Sequence, residues 1–307
     1  MTPAIGIDLG GTNIKAALVD TQTAEILATV SKPTRDGEFE GSTPGFAITV
    51  REIVEAFEAR AGQKLSVGLS APGLANPNGS CIDWMPGRMH GLENFVWADF
   101  LHRSCHVLND AHAGLLGEVW AGAAQGTQDA FMLTLGTGVG GAIWSGGRLL
   151  KGHIGRAGHF GHVSTDANGE RDLFHTPGSL EAAIGNQTIS LRSQGRYHTT
   201  HDLLDAYAAG DAQAQQIWLE SVRPLAAAIA SLINILDPEI VIVGGGIAVG
   251  AGERLFGPLC QMLDGWEWRP GGRQAKLVPA ALGDSAGCLG AVFHGISGAT
   301  DTSSAPR

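Results

Sequence analysis

The sequence predicts a mixed α/β protein built from two similar units, and three observations carry that prediction. A strand, a glycine turn and a second strand occur near residues 4–19 and again near 130–145. Between and beyond these hairpins, apolar residues recur at helical spacing, as in Phe46, Val50, Ile53, Val54 and Phe57. Glycine supplies 45 of 307 residues, about twice its ordinary share of roughly 7 %. The glycines fall in runs rather than at every third place, which excludes collagen. With 44 % hydrophobic and only 16 % charged residues, the composition excludes a disordered chain. No apolar stretch reaches the ~18 uncharged residues of a membrane span.

The elements follow in order. Residues 4–9 form a short apolar run, Gly10-Gly11-Thr12-Asn13 a turn, and residues 14–19 a second strand, a β-hairpin pattern. Residues 24–31 can supply a third strand, 43–61 a helix, 65–71 a strand ending at Ala71-Pro72-Gly73, and 105–108 another strand. The last of these runs into Asn109-Asp110 and a helix over about 111–121. The second unit starts with a strand at 130–135, the turn 136–141 and a strand through Trp144. Two unrelated hairpins sharing common turn chemistry would read the same way as a duplication. Residues 146–180 lack periodicity and read as a long loop with short helices, and loops of that length are usually functional. A long amphipathic helix covers 212–236, with Pro224 a candidate kink. Asp237-Pro238 stops it, 240–243 is a buried strand, and Gly244-Gly245-Gly246 follows. A final helix covers about 285–294, with Asp284 as its expected N-cap, and the serine- and threonine-rich end is expected to be disordered.

Charge and cysteine narrow the function. Thirty acids against twenty bases give a net charge of −10, with none of the Lys/Arg clusters a nucleic-acid binder shows. Cys81, Cys105, Cys260 and Cys288 have no metal or redox spacing, and the start of the chain has no signal-peptide pattern. A reducing, cytoplasmic setting is expected. The glycine turns point to phosphate, because backbone N–H groups there approach an anion with no side chain in the way. Gly10, Gly11 and Thr12 in the first turn are matched by Gly136, Thr137, Gly138 and Gly140 in the second, with Gly245 and Gly246 after the later strand. Asp8 would act on phosphate through hydrated Mg²⁺, and Lys15 could neutralise it or simply be solvated. Each turn alone could be only a tight hairpin. Neither turn is a P-loop, since no Gly-Lys-Ser/Thr ends it, nor a dinucleotide fingerprint, since a strand follows instead of a helix.

Asp8-Leu9-Gly10-Gly11-Thr12 with Lys15, then Asn109-Asp110, residues 135–141, and Asp237-Pro238 with Gly244-Gly245-Gly246 resemble the ROK family in order over nearly the whole chain. That family holds bacterial sugar kinases and repressors within the actin-like ATPase superfamily. The resemblance implies two actin-like (ribonuclease H-like) α/β domains around a central cleft, with ATP and Mg²⁺ on one side and a sugar on the other. It implies a domain over 1–112, joined by the last helix at 285–297, a larger domain over 113–284, and a tail at 298–307. It further implies Asp110 as the catalytic base and Asn109 as a sugar ligand, although a carboxylate at Asp110 could also cap the helix that follows. Homodimers or homotetramers are common in the family.

The chain departs from the family at the sugar side. The family pattern is Glu-x-Gly-His followed by Cys-x-Cys-Gly-x-x-Gly-Cys-x-Glu, whose His and three Cys hold structural zinc. Here His159-Phe160-Gly161-His162 puts His159 where the family has a sugar-binding Glu. The cysteine places hold Asp172, Phe174 and Ser179, and the final acid survives as Glu181. One His and one Asp are too few ligands for a closed tetrahedral site, so no zinc is expected; nearby His175 would be needed for any other metal set. His159, His162 and Glu181 are the sugar-binding candidates, against the plainer reading of structural histidines. An imidazole both donates and accepts where a carboxylate only accepts, so glucose specificity does not carry over. Residues 83–90 lie where the family brings its first domain to the sugar, or are simply a surface loop.

These readings favour an ATP- and Mg²⁺-dependent hexose kinase, glucokinase-like and acting at the 6-hydroxyl, with fructose or an N-acetylhexosamine as alternative acceptors. A repressor would need a DNA-binding domain, and only seven residues precede Asp8. A catalytically silent sugar sensor is the other alternative, opposed by the intact Asp8, Asp110 and glycine turns. An actin-like activator carrying an iron–sulfur cluster would need clustered cysteines.

Overall fold

The computed structural model describes residues 2–298. Apart from Gly298, which closes the last helix, the expected disordered tail lies outside the described residues. The chain forms two units. The first takes the chain as far as Gln125, the segment Lys151–Ala157 and the segment from Ala281; the second takes Gly126–Leu150 and Gly158–Ala280.

The first unit is built on a five-stranded sheet of β1 (Pro3–Leu9), β2 (Asn13–Asp20), β3 (Ile26–Pro33), β4 (Ser66–Ala71) and β5 (Cys105–Asn109), in the order β3-β2-β1-β4-β5. β1 runs antiparallel to β2 and parallel to β4, and β5 continues the parallel half. Pleating gives β1 two buried faces. Ile5, Ile7 and Leu9 pack in one core with Phe46, Val50, Ile53, Val54 and Phe57 of α1 (Gly45–Ala61). Ala4 packs on the other side with Cys288, Leu289 and Val292 of the C-terminal helix, Ala286–Gly298.

That helix lies backbone to backbone on its neighbours. A Cβ added at Gly6 would overlap the Cys288 carbonyl, and one at Gly68 the Ala291 carbonyl. On α2 (Asp110–Ala121), a Cβ at Gly117 would overlap the Ala286 carbonyl; on the C-terminal helix, one at Gly290 would overlap the carbonyl of Ala113 of α2. Fully buried Glu118 fastens the end of α2, accepting from the backbone N–H groups of Ala281 and Leu282 at 2.9 Å and Ala123 at 2.7 Å. These contacts keep α2 whole in the first unit, so the division falls at 125/126 rather than at 112/113, which would cut the helix. Asp284 is not the N-cap its position suggests. A 3₁₀ turn, Gly283–Ser285, leads into the helix without a side-chain cap, and the Asp284 carboxylate pairs with Lys15 at 2.7 Å.

The second unit repeats the topology. β6 (Ala130–Leu135), β7 (Val139–Ser145), β8 (Arg148–Leu149), β9 (Ile240–Gly244) and β10 (Lys276–Pro279) lie in the order β8-β7-β6-β9-β10, again antiparallel at the hairpin and parallel beyond it. The same strand order with the same directions favours duplication over two unrelated hairpins. α3 (Leu180–Ile184), α4 (Ala212–Leu236), α5 (Gly246–Ala251) and α6 (Glu253–Trp266) pack with this sheet around one apolar core. α4 is long and apolar enough to cross a bilayer by length and composition, yet half of that apolar stretch is buried in the protein. It runs as one element through Pro224, capped at its start by Asp211, which accepts from Gln213 and Ala214 N–H. Buried Trp218 donates its indole N–H to the Arg254 carbonyl at 2.8 Å, tying α4 to α6. The expected long loop at 146–180 divides: Lys151–Ala157 belongs with the first unit, where His112 Nε2 lies 2.9 Å from the Ala157 carbonyl. A carbonyl only accepts, so the imidazole donates there from Nε2.

The glycine contacts make a direct test. Gly290→Ala forces the two helix backbones apart and should lower stability by about 3 kcal/mol or more, measured by urea unfolding. Gly265→Ala, in α6 with nothing within 4 Å of the added methyl, should be neutral or stabilising by up to about 1 kcal/mol.

Candidate active site

The first unit gathers its chemistry at the carboxyl ends of three adjacent strands, the place where ligands bind in open α/β sheets. Asp8 is the penultimate residue of β1, with Ser70 of β4 beside it in register. The Ser70 hydroxyl donates to Asp8 Oδ1 at 2.7 Å. Asn109 ends β5, and Asp110 begins α2. Asn109 is the N-cap: its Oδ1 accepts from Ala111 N–H at 3.0 Å and His112 N–H at 3.3 Å, and its Nδ2 donates to the Gly73 carbonyl at 2.9 Å. Asn109 therefore takes the main capping role the sequence left open for Asp110, whose Oδ1 accepts from Ala111 N–H at 2.8 Å.

The Asp8 carboxyl acts on that of Asp110. Burial pushes the Asp8 carboxyl above the ordinary range; Ser70 and Lys15 oppose this, while the Asp284 carboxylate adds to it. The Asp110 residue is exposed to solvent, while protein groups surround its carboxyl. Its pKa is raised to about 6, first by burial and then by the Asp8 charge, against the Ala111 N–H, Asn109 and the Arg88 guanidinium. Two neighbouring carboxyl groups, of which Asp8 raises the pKa of Asp110 and is itself held by a serine hydroxyl, fit a hard divalent cation that keeps most of its water.

The turn between β1 and β2 is closed by Gly10 N–H donating to the Asn13 carbonyl at 3.1 Å. Gly11 lies under Arg88, so closely that a Cβ there would strike the guanidinium. Thr12 is exposed at the tip. Lys15 faces Asp284 rather than open solvent. Arg88 belongs to the 83–90 stretch, and its placement over the glycine turn was not visible in the sequence. Ser70 was also missed, since its only signal is its position at the end of a parallel strand.

In the second unit, Gly136 N–H donates to the Gly138 carbonyl at 2.9 Å, and Thr137 is exposed at the tip. Gly140 lies in β7 opposite Thr134 of β6. Glu181, at the start of α3, accepts from Val139 N–H at 3.0 Å and from Gln187 Nε2 at 2.7 Å. Its carboxylate fills the space a side chain at Gly138 would need. Asn186 and Gln187 N–H donate to the Gly136 and Thr137 carbonyls at 2.9 and 3.0 Å, bracing the same turn. Gly245 has φ of 88° and sits against the Leu135 carbonyl, so both its conformation and its close approach require glycine. Gly246 starts α5. His159 precedes a short 3₁₀ turn, Phe160–His162, anchored by buried Phe160 against Gly141. His162 is exposed, with its ring edge-on to Phe174 at 5.1 Å. Thus the structure brings Asp8, Gly11, Lys15, Asn109 and Asp110 together in one unit, and Gly138, Glu181 and His162 in the other.

Comparison with known proteins bears on the family and the fold. The sequence pattern of the ROK family matches residues 4–294. A glucokinase of Thermotoga maritima is 34 % identical, over 94 % of this chain and 95 % of its own. The crystal structure of a ROK hexokinase from Thermus thermophilus, 30 % identical, superposes with a TM-score of 0.82 over 98 % of this chain and 100 % of its own. A ROK family glucokinase from Streptomyces griseus, in complex with glucose and AMPPNP, is 28 % identical with a TM-score of 0.74, over 94 % of this chain and 97 % of its own.

The raised Asp110 pKa has a consequence for stability. A carboxyl whose folded pKa exceeds its unfolded value destabilises the fold once it ionises, so stability is lost as pH rises through about 6. Asp110→Asn should therefore melt higher than the parent at neutral pH. The gap should shrink towards zero at about pH 4, near the ordinary carboxyl pKa. Thermal melts across pH measure it.

Proposed function

The chain belongs to the ROK family and is a hexose kinase, and on that premise we propose that Asp110 is the general base that deprotonates the sugar hydroxyl. The observation that carries this is the Asp110 carboxyl, raised to about 6 beside Asp8 and held by the Asn109-capped helix end. Such a pKa lets the group be ionised at neutral pH yet accept a proton as the reaction proceeds. The sugar oxygen forms a bond to the γ-phosphorus of ATP, the bond to the β,γ-bridging oxygen breaks, ADP takes that electron pair, and the hydroxyl proton passes to Asp110.

The acceptor we assign is the 6-hydroxyl of a hexose, glucose first among the candidates. Glu181 is committed to the Val139 N–H and Gln187 in this structure, so its part is to brace the glycine turn as well as to meet the sugar. His162 and His159 are the second unit's other sugar-facing candidates. Asn109 is the first unit's sugar-ligand candidate: its Oδ1 is taken up by the helix cap, and its Nδ2, which has two N–H donors, gives one to the Gly73 carbonyl. Gly10, Gly11 and Thr12 offer the first unit's backbone and hydroxyl donors to phosphate, with Arg88 and Lys15 as nearby positive charge. Gly136, Thr137, Gly138, Gly140, Gly245 and Gly246 offer the second unit's bare backbone to the nucleotide. Asp8 is the carboxylate that would hold hydrated Mg²⁺, which when bound supplies charge stabilisation to the phosphates.

An ADP-release assay with Mg·ATP over hexoses, aminosugars and pentoses tests the assignment. Hexoses should give the highest kcat/KM, and no ADP release with any acceptor in the panel would identify a silent sensor. Asp110→Ala should lower kcat by on the order of 10³-fold while ATP binding persists. In the parent enzyme, kcat/KM should fall with unit slope below a pH of about 6. Wild-type turnover in Asp110→Ala would remove the base from Asp110.

A further inference from the structure

The loop that in the family carries zinc has different chemistry here. Zinc requires four donors in a closed tetrahedral site. At the corresponding places this chain has His162, Asp172, Phe174 and Ser179, and Phe174 brings no donor. Among the described residues, no three His, Cys, Asp or Glu side chains come together as metal ligands. Asp172 is already engaged: its Oδ1 accepts from the backbone N–H groups of Phe174 and Thr176, both at 2.9 Å, and the nearby Ser179 hydroxyl favours its ionised form. Those residues do not fit zinc.

They fit one another instead. Asp172 N–H donates to the Thr176 carbonyl at 3.0 Å and His175 N–H to the Asp172 carbonyl at 2.9 Å, closing the 172–176 turn on itself. Burial alone would lift the Asp172 carboxyl, but Ser179, the Thr176 and Phe174 N–H groups and the nearby His162 hold it below the ordinary range. The turn presents the Phe174 ring edge-on to the His162 imidazole, with centroids 5.1 Å apart and planes at 87°. Ser179 is fully buried, and its oxygen also accepts from Ala182 N–H at 3.3 Å as the N-cap of α3. Leu180 N–H donates to the Val163 carbonyl at 2.9 Å, so the residue after His162 is paired directly to the start of α3. α3 in turn carries Glu181, whose carboxylate holds Val139 N–H at the end of the 136–138 turn.

We propose that Asp172, Ser179 and Phe174 form a metal-free clasp that positions His162 and, through the α3 N-cap, Glu181. Asp172 and Phe174 are positioning residues: they set where the imidazole stands without touching the reacting atoms. The kinetic part rests on the sugar-kinase reading above; the metal content and the state of His162 do not.

The test uses the full-length protein. After expression in zinc-supplemented medium and dialysis against EDTA, elemental analysis should find far less than one zinc per chain; a stoichiometric, retained zinc overturns the clasp. With ¹⁵N-labelled histidine, Asp172→Ala and Phe174→Ala should each shift the His162 ring resonances, assigned by their loss in His162→Gln. Asp172→Asn should restore them, because an amide oxygen also accepts from the Phe174 and Thr176 N–H groups. On the best sugar, Asp172→Ala should raise the sugar KM by about tenfold with the ATP KM within about twofold, and Asp172→Asn should reverse the rise. Unchanged His162 resonances in both Asp172→Ala and Phe174→Ala would refute the clasp, whether or not any sugar is turned over. If Asp172→Ala fails to fold, Phe174→Ala alone decides by the same resonances.

Discussion

The fold of the first unit depends on how closely the backbone of its C-terminal helix can approach its neighbours. Gly6 of β1, Gly68 of β4 and Gly117 of α2 each meet a carbonyl of that helix where a methyl group could not fit, and Gly290 does the same to α2. Backbone contact of this kind leaves little slack, because no flexible side chain lies between the elements to absorb a shift. It fixes β1, which carries Asp8 as its penultimate residue, and α2, which begins with Asp110, against one common element. The site's two carboxyl groups are thereby held where the Asp8 charge raises the pKa of Asp110. These four are the glycines that this contact requires, whereas 21 others among the described residues adopt positive φ. The second unit uses the same device on a smaller scale, with Gly245 against the Leu135 carbonyl and Gly141 against Phe160.

Holding two acidic groups together costs stability, and the structure shows what offsets the cost. Ser70 donates to Asp8, Lys15 lends positive charge, and the Ala111 N–H, Asn109 and Arg88 favour ionised Asp110. None of these removes the conflict, so the carboxyl of Asp110 remains well above its ordinary range. A site strained in this way favours a bound cation or a transferable proton, and those are the two needs of phosphoryl transfer. The buried Glu118 makes the contrast. Its carboxylate takes three backbone N–H groups and serves the architecture alone.

Much of this was legible in the sequence because the relevant signals are local. β1 and β2 are continuous apolar runs divided by Gly10-Gly11-Thr12, and α1 shows its buried face at helical spacing, so each was found within a residue or two. Asp8, Asn109 and Asp110 stand at strand ends, where chain order alone suggests function. What stayed hidden depends on contacts distant in sequence. Ser70 meets Asp8 across 62 residues, and Arg88 reaches Gly11 from a loop with no pattern of its own. Asp284 looks like a helix cap until Lys15, on a strand far earlier in the chain, claims its carboxylate. β10, α5 and α6 were not read at all, since glycines interrupt the apolar period at 244–252 and charge breaks it later. The roles within Asn109-Asp110 could not be separated either, because both residue types cap helices and only geometry shows Asn109 doing so.

The central claim is that the packing of β1, α2 and the C-terminal helix couples the Asp8 and Asp110 carboxyl groups and so tunes the base. Carbon-13 NMR titration of the Asp110 side-chain carboxyl, in the parent protein and in Asp8→Asn, tests it most directly. The account predicts a midpoint near about 6 in the parent. In Asp8→Asn the midpoint should fall but stay above the ordinary value of about 3.9, because burial is the larger cause. An Asp110 that titrates at the ordinary value in the parent, or whose midpoint does not move when Asp8 is neutralised, would contradict it.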